Sequence, residues 1–301
     1  MTYQTLHYAT SGAIATITLN RPDELNTIVP PMTDELESAV AEAVRDQSVT
    51  VIVLRGAGRS FCAGFSFANA FHEWDDLLTT DGTWDAGKDF VMTTSNVTGW
   101  VPKFMSLWNS PKPVVAMVHG WALGGGSEMV LCADIVIMSE DARIGTPYSR
   151  MWGTHHAGMW VYRLGLAKAK EYALTGRPLS GIEAAAVQLV NQAVPFEDLE
   201  RVTYELAEQL THIPLSQLAA MKLVVNQAYE NMGLRSTQLL GSVIDGNLRN
   251  TPEAQRWVAT IERDGASAAI RDRDGVFGDY SQGSPADKPD PRNAYPSPTN
   301  G

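Results

Sequence analysis

Glu128 sits one turn past a glycine corner in the run Val114 to Asp134, VVAMVHGWALGGGSEMVLCAD. The run reads as a buried strand, a glycine turn and the start of a helix. The first N–H groups of a helix have no partner within it, and together with the helix dipole they favour negative charge. A carboxylate beside such amides outlines an oxyanion site with a base. The same glycines also suit any tight strand-to-helix corner, and a glutamate in a first helical turn also complements the dipole without further purpose. Met129, Val130 and Leu131 predict that much of this helix is buried, where a carboxylate needs a partner or a role. Two other chemistries are excluded. A P-loop needs Lys-Ser/Thr where this run has Gly125-Gly126-Ser127. A nucleophile elbow needs glycine two places after Ser127, where Met129 stands. Ser127 therefore reads as a small packing residue.

A second corner lies upstream. Thr50 to Leu54 is a β-branched strand signal, followed by Arg55-Gly56-Ala57-Gly58-Arg59-Ser60 and Phe61-Cys62-Ala63-Gly64-Phe65. Small residues after a strand let a ligand approach the backbone, so the Phe65 N–H offers a second donor. By itself this is an ordinary loop; two donors aimed at one oxygen would make a hole.

In this order the segments Ile14 to Asn26, Val51 to Phe65, Pro113 to Asp134 and Tyr172 to Pro195 resemble the enoyl-CoA hydratase/isomerase (crotonase) superfamily. The resemblance runs from about Thr5 to about Met232. It implies an α/β fold, a crotonase-like spiral of β-β-α turns over residues 1–195. A helical C-terminal trimerisation region follows over 196–280, then a Pro-rich tail over 281–301, expected to be extended or disordered. It implies an acyl-CoA thioester as partner, its carbonyl held between the amides of Phe65 and Gly125. Leu25, Ala63 and Gly124 fall on substrate- and CoA-contacting positions. Coenzyme A then arrives as part of the substrate, with no separate cofactor and no metal. Homotrimers, commonly paired into hexamers, and a place in fatty acid metabolism are further implications.

The acid/base residues depart from the family pattern. Glu128 matches the first catalytic glutamate, but the second falls on Tyr148, in Arg143-Ile144-Gly145-Thr146-Pro147-Tyr148. Hydration needs one group to activate water and one to protonate the α-carbon, so a lost carboxylate matters. Tyr148 can donate a proton, though its ordinary pKa near 10 makes it weak at neutral pH. His155 and His156 occupy a stretch that lines the acyl pocket in relatives, and imidazole suits proton transfer near pH 7; they equally suit surface or capping bonds. The leading expectation is an enoyl-CoA hydratase. An isomerase with one base, a carbon–carbon bond hydrolase using His155 or His156, and a catalytically reduced CoA-binding oligomer subunit stand as alternatives.

Length and composition agree with such an enzyme. The chain has 301 residues, 44% of them hydrophobic, enough for a sizeable core. A net charge of −11 speaks against general nucleic-acid binding. CoA phosphates would need a local basic patch, for which Arg21, Arg55 and Arg59 lie in suitable segments. Cys62 and Cys132 read as buried thiols. No signal pattern or bilayer-length apolar run is present, which implies no membrane span and a cytoplasmic location.

Of the elements that must position the site, Ala13 to Leu19, Val51 to Leu54, Val114 to Val118 and Ile135 to Met138 predict strands. Pro31-Met32-Thr33-Asp34 opens a helix with Met32, Leu36, Val40 and Val44 on one face. Ser180 and Glu183 form a capping box for a helix through Gln188. Further helices are predicted over Glu197–Leu210, Leu215–Tyr229 and about Ser236–Leu248, and one opens at Thr251-Pro252-Glu253. Between them, Ser66 to Ser110 carries Phe67, Phe71, Trp74, Trp84, Trp100 and Trp108. It reads equally as a lid over an acyl pocket or as amphipathic helices using those rings as core.

Overall fold

A computed structural model of the chain describes residues 2–280 and 295–296. The expectation for the Pro-rich tail falls, apart from Tyr295 and Pro296, outside the described residues. Tyr295 pairs with Gly58 in an isolated antiparallel bridge.

Six strands form the main sheet, in the spatial order Leu6–Ser11, Ile14–Leu19, Val51–Gly56, Val114–Val118, Ile135–Ser139 and Gln192–Val194. The first two make an antiparallel hairpin, and every later pairing is parallel. Parallel strands are covered on both faces, and their alternating side chains divide between two cores. Ile52, Leu54, Ala116, Val118, Val136 and Met138 face the larger core. Val51, Val53, Val115, Met117 and Ile137 face a smaller one, closed by Leu199 and Ala207 of the Phe196–Thr211 helix.

A second sheet of Trp121–Leu123, Arg143–Gly145 and Leu179–Ser180 stands beside the first. The chain runs from Val114–Val118 in one sheet to Trp121–Leu123 in the other and then into the Gly125–Val130 helix. The next turn repeats the move with Ile135–Ser139 and Arg143–Gly145. This is the expected spiral of strand-strand-helix turns.

Boundaries shift by a few residues from the sequence expectations. The first long helix is Pro30–Arg45, with Met32, Leu36 and Val40 buried and Val44 packed against the core. The Ser180–Glu183 capping box forms, but its helix ends at Ala186 instead of Gln188. The helix expected from about Ser236 starts at Leu234. Elements not predicted from the sequence include the strand Leu6–Ser11, the helix Leu166–Thr175 and, after the Pro252–Asp264 helix, where Gly265 adopts φ 83, a further helix, Ala266–Gly275.

The aromatic stretch over 66–110 answers to both of its readings. It contains helices Ala86–Thr94 and Trp100–Asn109, with Trp74, Trp100 and Trp108 in the main core. Its Phe67, Phe71 and Trp100 also line a cavity. Asp89 fastens it to the C-terminal region, accepting from Arg249 at 2.9 and 2.6 Å and from the Trp84 indole at 2.8 Å.

Candidate active site

The two glycine corners lie side by side because the second sheet laces them together. Cys62 bridges Ala122 in parallel, its N–H donating to the Trp121 carbonyl at 2.9 Å and its carbonyl accepting from Leu123 N–H at 3.0 Å. Gly64 and Phe65 then run beside Gly124 and Gly125. A Cβ built on Gly64 would lie 2.9 Å from the Leu123 carbonyl oxygen and 3.8 Å from the Gly124 Cα. Neighbouring amides are occupied: Ser66 N–H donates to Ile28, Gly124 N–H to Gly145 and Glu128 N–H to Gly124. The N–H groups of Phe65 and Gly125 have no backbone acceptor among the described residues. Both residues line one cavity of about 420 Å³, as do Leu25, Ala63, Gly124, Tyr148 and His156. Ala63 N–H donates to the Leu25 carbonyl at 3.0 Å, which fixes the Leu25 corner to the same wall.

Glu128 is fully buried. One carboxyl oxygen, Oε2, accepts from the Ala157 N–H at 2.5 Å, and Oε1 has no hydrogen-bond partner. Burial pushes its pKa up to about 8, against the Ala157 N–H, which pulls it down, while the charge of Asp245 pushes it further up. Glu128 is therefore a carboxyl group that holds its proton at neutral pH. It does not itself line the cavity. Ser127 beside it is a buried packing residue, its hydroxyl donating to the Gly124 carbonyl at 2.8 Å and accepting from the Trp160 indole at 3.1 Å.

The Tyr148 ring forms part of the cavity wall, and its phenolic oxygen is buried without a partner. Burial, followed by the charges of Glu128 and Asp245, raises its pKa well above 10, so it acts as a donor and holds its proton. His156 accepts from the Trp100 indole N–H through Nδ1 at 3.0 Å. That bond assigns the ring proton to Nε2, which makes His156 a donor in turn. Burial depresses its pKa. His155 stands behind the lining, with Nε2 at 3.1 Å from Thr146 Oγ1 and Nδ1 at 4.0 Å from Glu128 Oε1. Burial and then the neighbouring His156 lower its pKa to about 4, so it is neutral at pH 7.

The basic residues expected to serve CoA phosphates are engaged elsewhere or lie off the cavity. Arg21 pairs with Glu24, and Arg55 pairs with Glu200 at 3.1 Å beneath the Tyr295 ring. Neither they nor Arg59 line the cavity. The arginines that do are Arg249, Arg271 and Arg273, with Asp245 and Asp274. All five come from the C-terminal helices and were missed, because no local spacing in the sequence signals which residues of a distant helix will close a pocket. Aromatic rings supply much of the remaining wall: Phe65 packs on Trp100 at 5.0 Å between centroids and on Trp74 behind the wall at 5.6 Å, and Phe67 on Trp152 at 5.8 Å.

A family model described as Enoyl-CoA hydratase/isomerase matches residues 9–244. A Rhizobium meliloti strain 1021 protein named "Probable enoyl-CoA hydratase" is 31% identical over 237 residues, covering 76% of this chain and 84% of its own. The 1,2-epoxyphenylacetyl-CoA isomerase of Escherichia coli strain K12 is 31% identical over 221 residues, covering 72% and 80%. A crystal structure of an enoyl-CoA hydratase from Mycobacterium smegmatis is 36% identical, with a TM-score of 0.84 over 91% of this chain and 94% of that one.

Proposed function

The chain belongs to the enoyl-CoA hydratase/isomerase family, an acyl-CoA-transforming group within the crotonase superfamily, and from that premise we propose that it adds water to a 2-enoyl-CoA. The observation that carries the reading is the pair of unclaimed amides, Phe65 and Gly125, on adjoining corners of one cavity. A thioester oxygen placed there gathers negative charge as the double bond is attacked, and fixed donors stabilise that charge at no cost of reorganisation. Leu25, Ala63 and Gly124 border the entering thioester. Glu128, protonated near neutral pH by its burial, stands behind the cavity wall on the helix that opens at Gly125. Its unpartnered Oε1 is the atom we assign to supply the proton for the α-carbon. The Tyr148 phenol and the His156 Nε2–H are donors at the cavity wall for the bound acyl group. Neutral His155 lies beside the Glu128 carboxyl, its Nδ1 4.0 Å from Oε1, with no hydrogen bond between them.

The test is a panel of acyl-CoA esters, saturated and unsaturated, with products weighed by mass spectrometry. A gain of one water is expected for a 2-enoyl-CoA. No change in mass with a shifted double bond would assign isomerisation, and chain cleavage would assign hydrolysis of a carbon–carbon bond. Acyl-CoA binding without turnover, unaltered by Glu128→Gln, would leave a binding subunit.

Tyr148→Phe removes one donor and keeps the ring. Water addition is expected to fall about tenfold or more, the range for a lost hydrogen bond to a developing charge. Exchange of the α-proton in D2O should continue. Unchanged rates of both in the variant would take the phenol out of the reaction.

Self-association into a homotrimer or hexamer belongs to the same proposal. Met221, Leu223, Val224 and Val225 of the Leu215–Asn231 helix are more than half exposed, as are Leu239 and Leu240 of the following helix. Apolar surface of this extent is a mark of protein contact. No helix among the described residues is long and apolar enough to cross a membrane.

A further inference from the structure

The position that holds the second family glutamate is Tyr148 in this chain, yet hydration still needs a group to deprotonate water. Two carboxylates line the cavity, Asp245 and Asp274, and Glu128 is not one of them. Asp274 is held by two guanidinium groups: Arg150 reaches it at 3.2 Å, and Arg273 grips it at 3.1 and 2.6 Å. Asp245 is held by one. Its Oδ1 accepts from the Thr154 N–H at 3.3 Å and its Oδ2 pairs with Arg249 at 2.9 Å. A carboxylate has about four lone-pair positions, so each oxygen retains room for another donor. Arg249 is moreover shared with Asp89, which takes two of its N–H groups. One guanidinium shared between two carboxylates leaves Asp245 only partly neutralised, with Arg271 and Arg273 on the same lining.

Asp245 also reaches the Tyr148 side of the cavity. Gly153 adopts φ +114, and a Cβ built there would lie 2.9 Å from Tyr148 Cδ1 and 3.1 Å from Asp245 Oδ1. The absent side chain is what lets the Tyr148 ring and the Asp245 carboxylate crowd the same point. Asp245 is close enough for its charge to act on Glu128, Tyr148 and His156 alike.

Resting on the hydratase reading above, we propose that Asp245, carried in from the Leu234–Leu248 helix, is the second carboxylate of the site and the base that activates water. Asp245 takes one proton from water as the oxygen bonds to the β-carbon. The π electrons of the double bond pass to the α-carbon and the thioester oxygen, and Glu128 delivers its proton to the α-carbon. Asp245 ends protonated and Glu128 ionised. Return of one proton from Asp245 to Glu128 through solvent after product release restores the starting state.

The experiment compares two reactions of wild type and Asp245→Asn at pH 8: water addition to the best 2-enoyl-CoA, and deuterium exchange at the α-carbon of its saturated analogue. Water addition is expected to fall at least about a hundredfold, with exchange, which needs Glu128 and the two amides but no activated water, retained. A triple variant, Asp89→Asn and Asp245→Asn with Arg249→Gln, removes both carboxylates together with the guanidinium they share and is expected to behave likewise; it carries the test if the single variant does not fold. Water addition at the wild-type rate, or a parallel fall in both reactions in whichever variant folds, would overturn the assignment and leave Asp245 a structural partner of Arg249. A wild-type enzyme that exchanges but never adds water would overturn the hydratase reading itself, and the role of Asp245 with it.

Discussion

Glu128→Gln should reduce turnover by at least about a hundredfold while leaving acyl-CoA binding close to wild type, since a positioned proton donor contributes about 10²–10⁴ to rate. Glutamine has nearly the same shape, and its carbonyl can accept the Ala157 N–H that now bonds Oε2. The cavity, whose lining excludes Glu128, should be unaltered. Steady-state kinetics with the best substrate from the panel and calorimetry with an unreactive acyl-CoA separate the two quantities. Turnover at the wild-type level would remove Glu128 from the mechanism. The pH dependence gives an independent check. With a pKa raised to about 8, Glu128 offers its proton below that value and loses it above, so the wild-type rate of α-carbon protonation should decline as pH rises through about 8. Stability moves in the same direction. The folded protein holds a proton that the unfolded chain gives up near the ordinary carboxyl value, so the favourable linkage is complete below that value and is lost as pH rises through about 8. Glutamine does not titrate. The variant should therefore gain on wild type in urea resistance between pH 5 and pH 8.5, approximate limits set by those two pKa values.

How far the sequence spoke for the site can be judged residue by residue. The corners were legible only as an ordered pair, since each alone also reads as an ordinary turn, and the structure sets Phe65 and Gly125 on one cavity with Leu25, Ala63 and Gly124. Burial of Glu128 followed from Met129, Val130 and Leu131 on its helix. The vacancy at Tyr148 was equally visible. What fills the surroundings was not, because it depends on contacts between distant segments: Asp245 and Arg249 reach the site through the pairing of Arg249 with Asp89 across 160 positions of chain. The Ala266–Gly275 helix was missed for a local reason. Its sequence, ASAAIRDRDG, has little apolar periodicity, and the glycine before it reads as the end of the preceding helix. The aromatic stretch resisted a single reading because its rings belong to the core and to the cavity at once; Trp100 packs in the first and lines the second.

Gly125→Ala should cost at least about a hundredfold in kcat, the scale measured for losing one oxyanion donor, through one added methyl group. A Cβ there would fall 2.6 Å from Phe65 Cε2, 2.9 Å from Phe65 Cδ2 and 3.0 Å from Ile28 Cδ1. The Phe65 ring has little freedom to retreat, since Trp100, Trp74 and Phe71 pack around it at centroid distances of 5.0, 5.6 and 6.3 Å. Relief must come from the backbone, and the backbone of either residue carries one of the two amides. A single clash thus displaces both proposed donors, which is why the catalytic loss should exceed what the packing penalty, about 1–3 kcal/mol of stability, would suggest. Gly165→Ala is the control: a Cβ at that position meets nothing within 4 Å, and φ is −68. Circular dichroism and thermal melts should show Gly125→Ala folded but destabilised, and Gly165→Ala, which turns over at the wild-type rate, lowered by about 1 kcal/mol at most because alanine is a poorer helix N-cap than glycine. If the Gly125 variant melts earlier yet turns over at the wild-type rate, charge does not develop between these amides, and the thioester must sit elsewhere in the cavity.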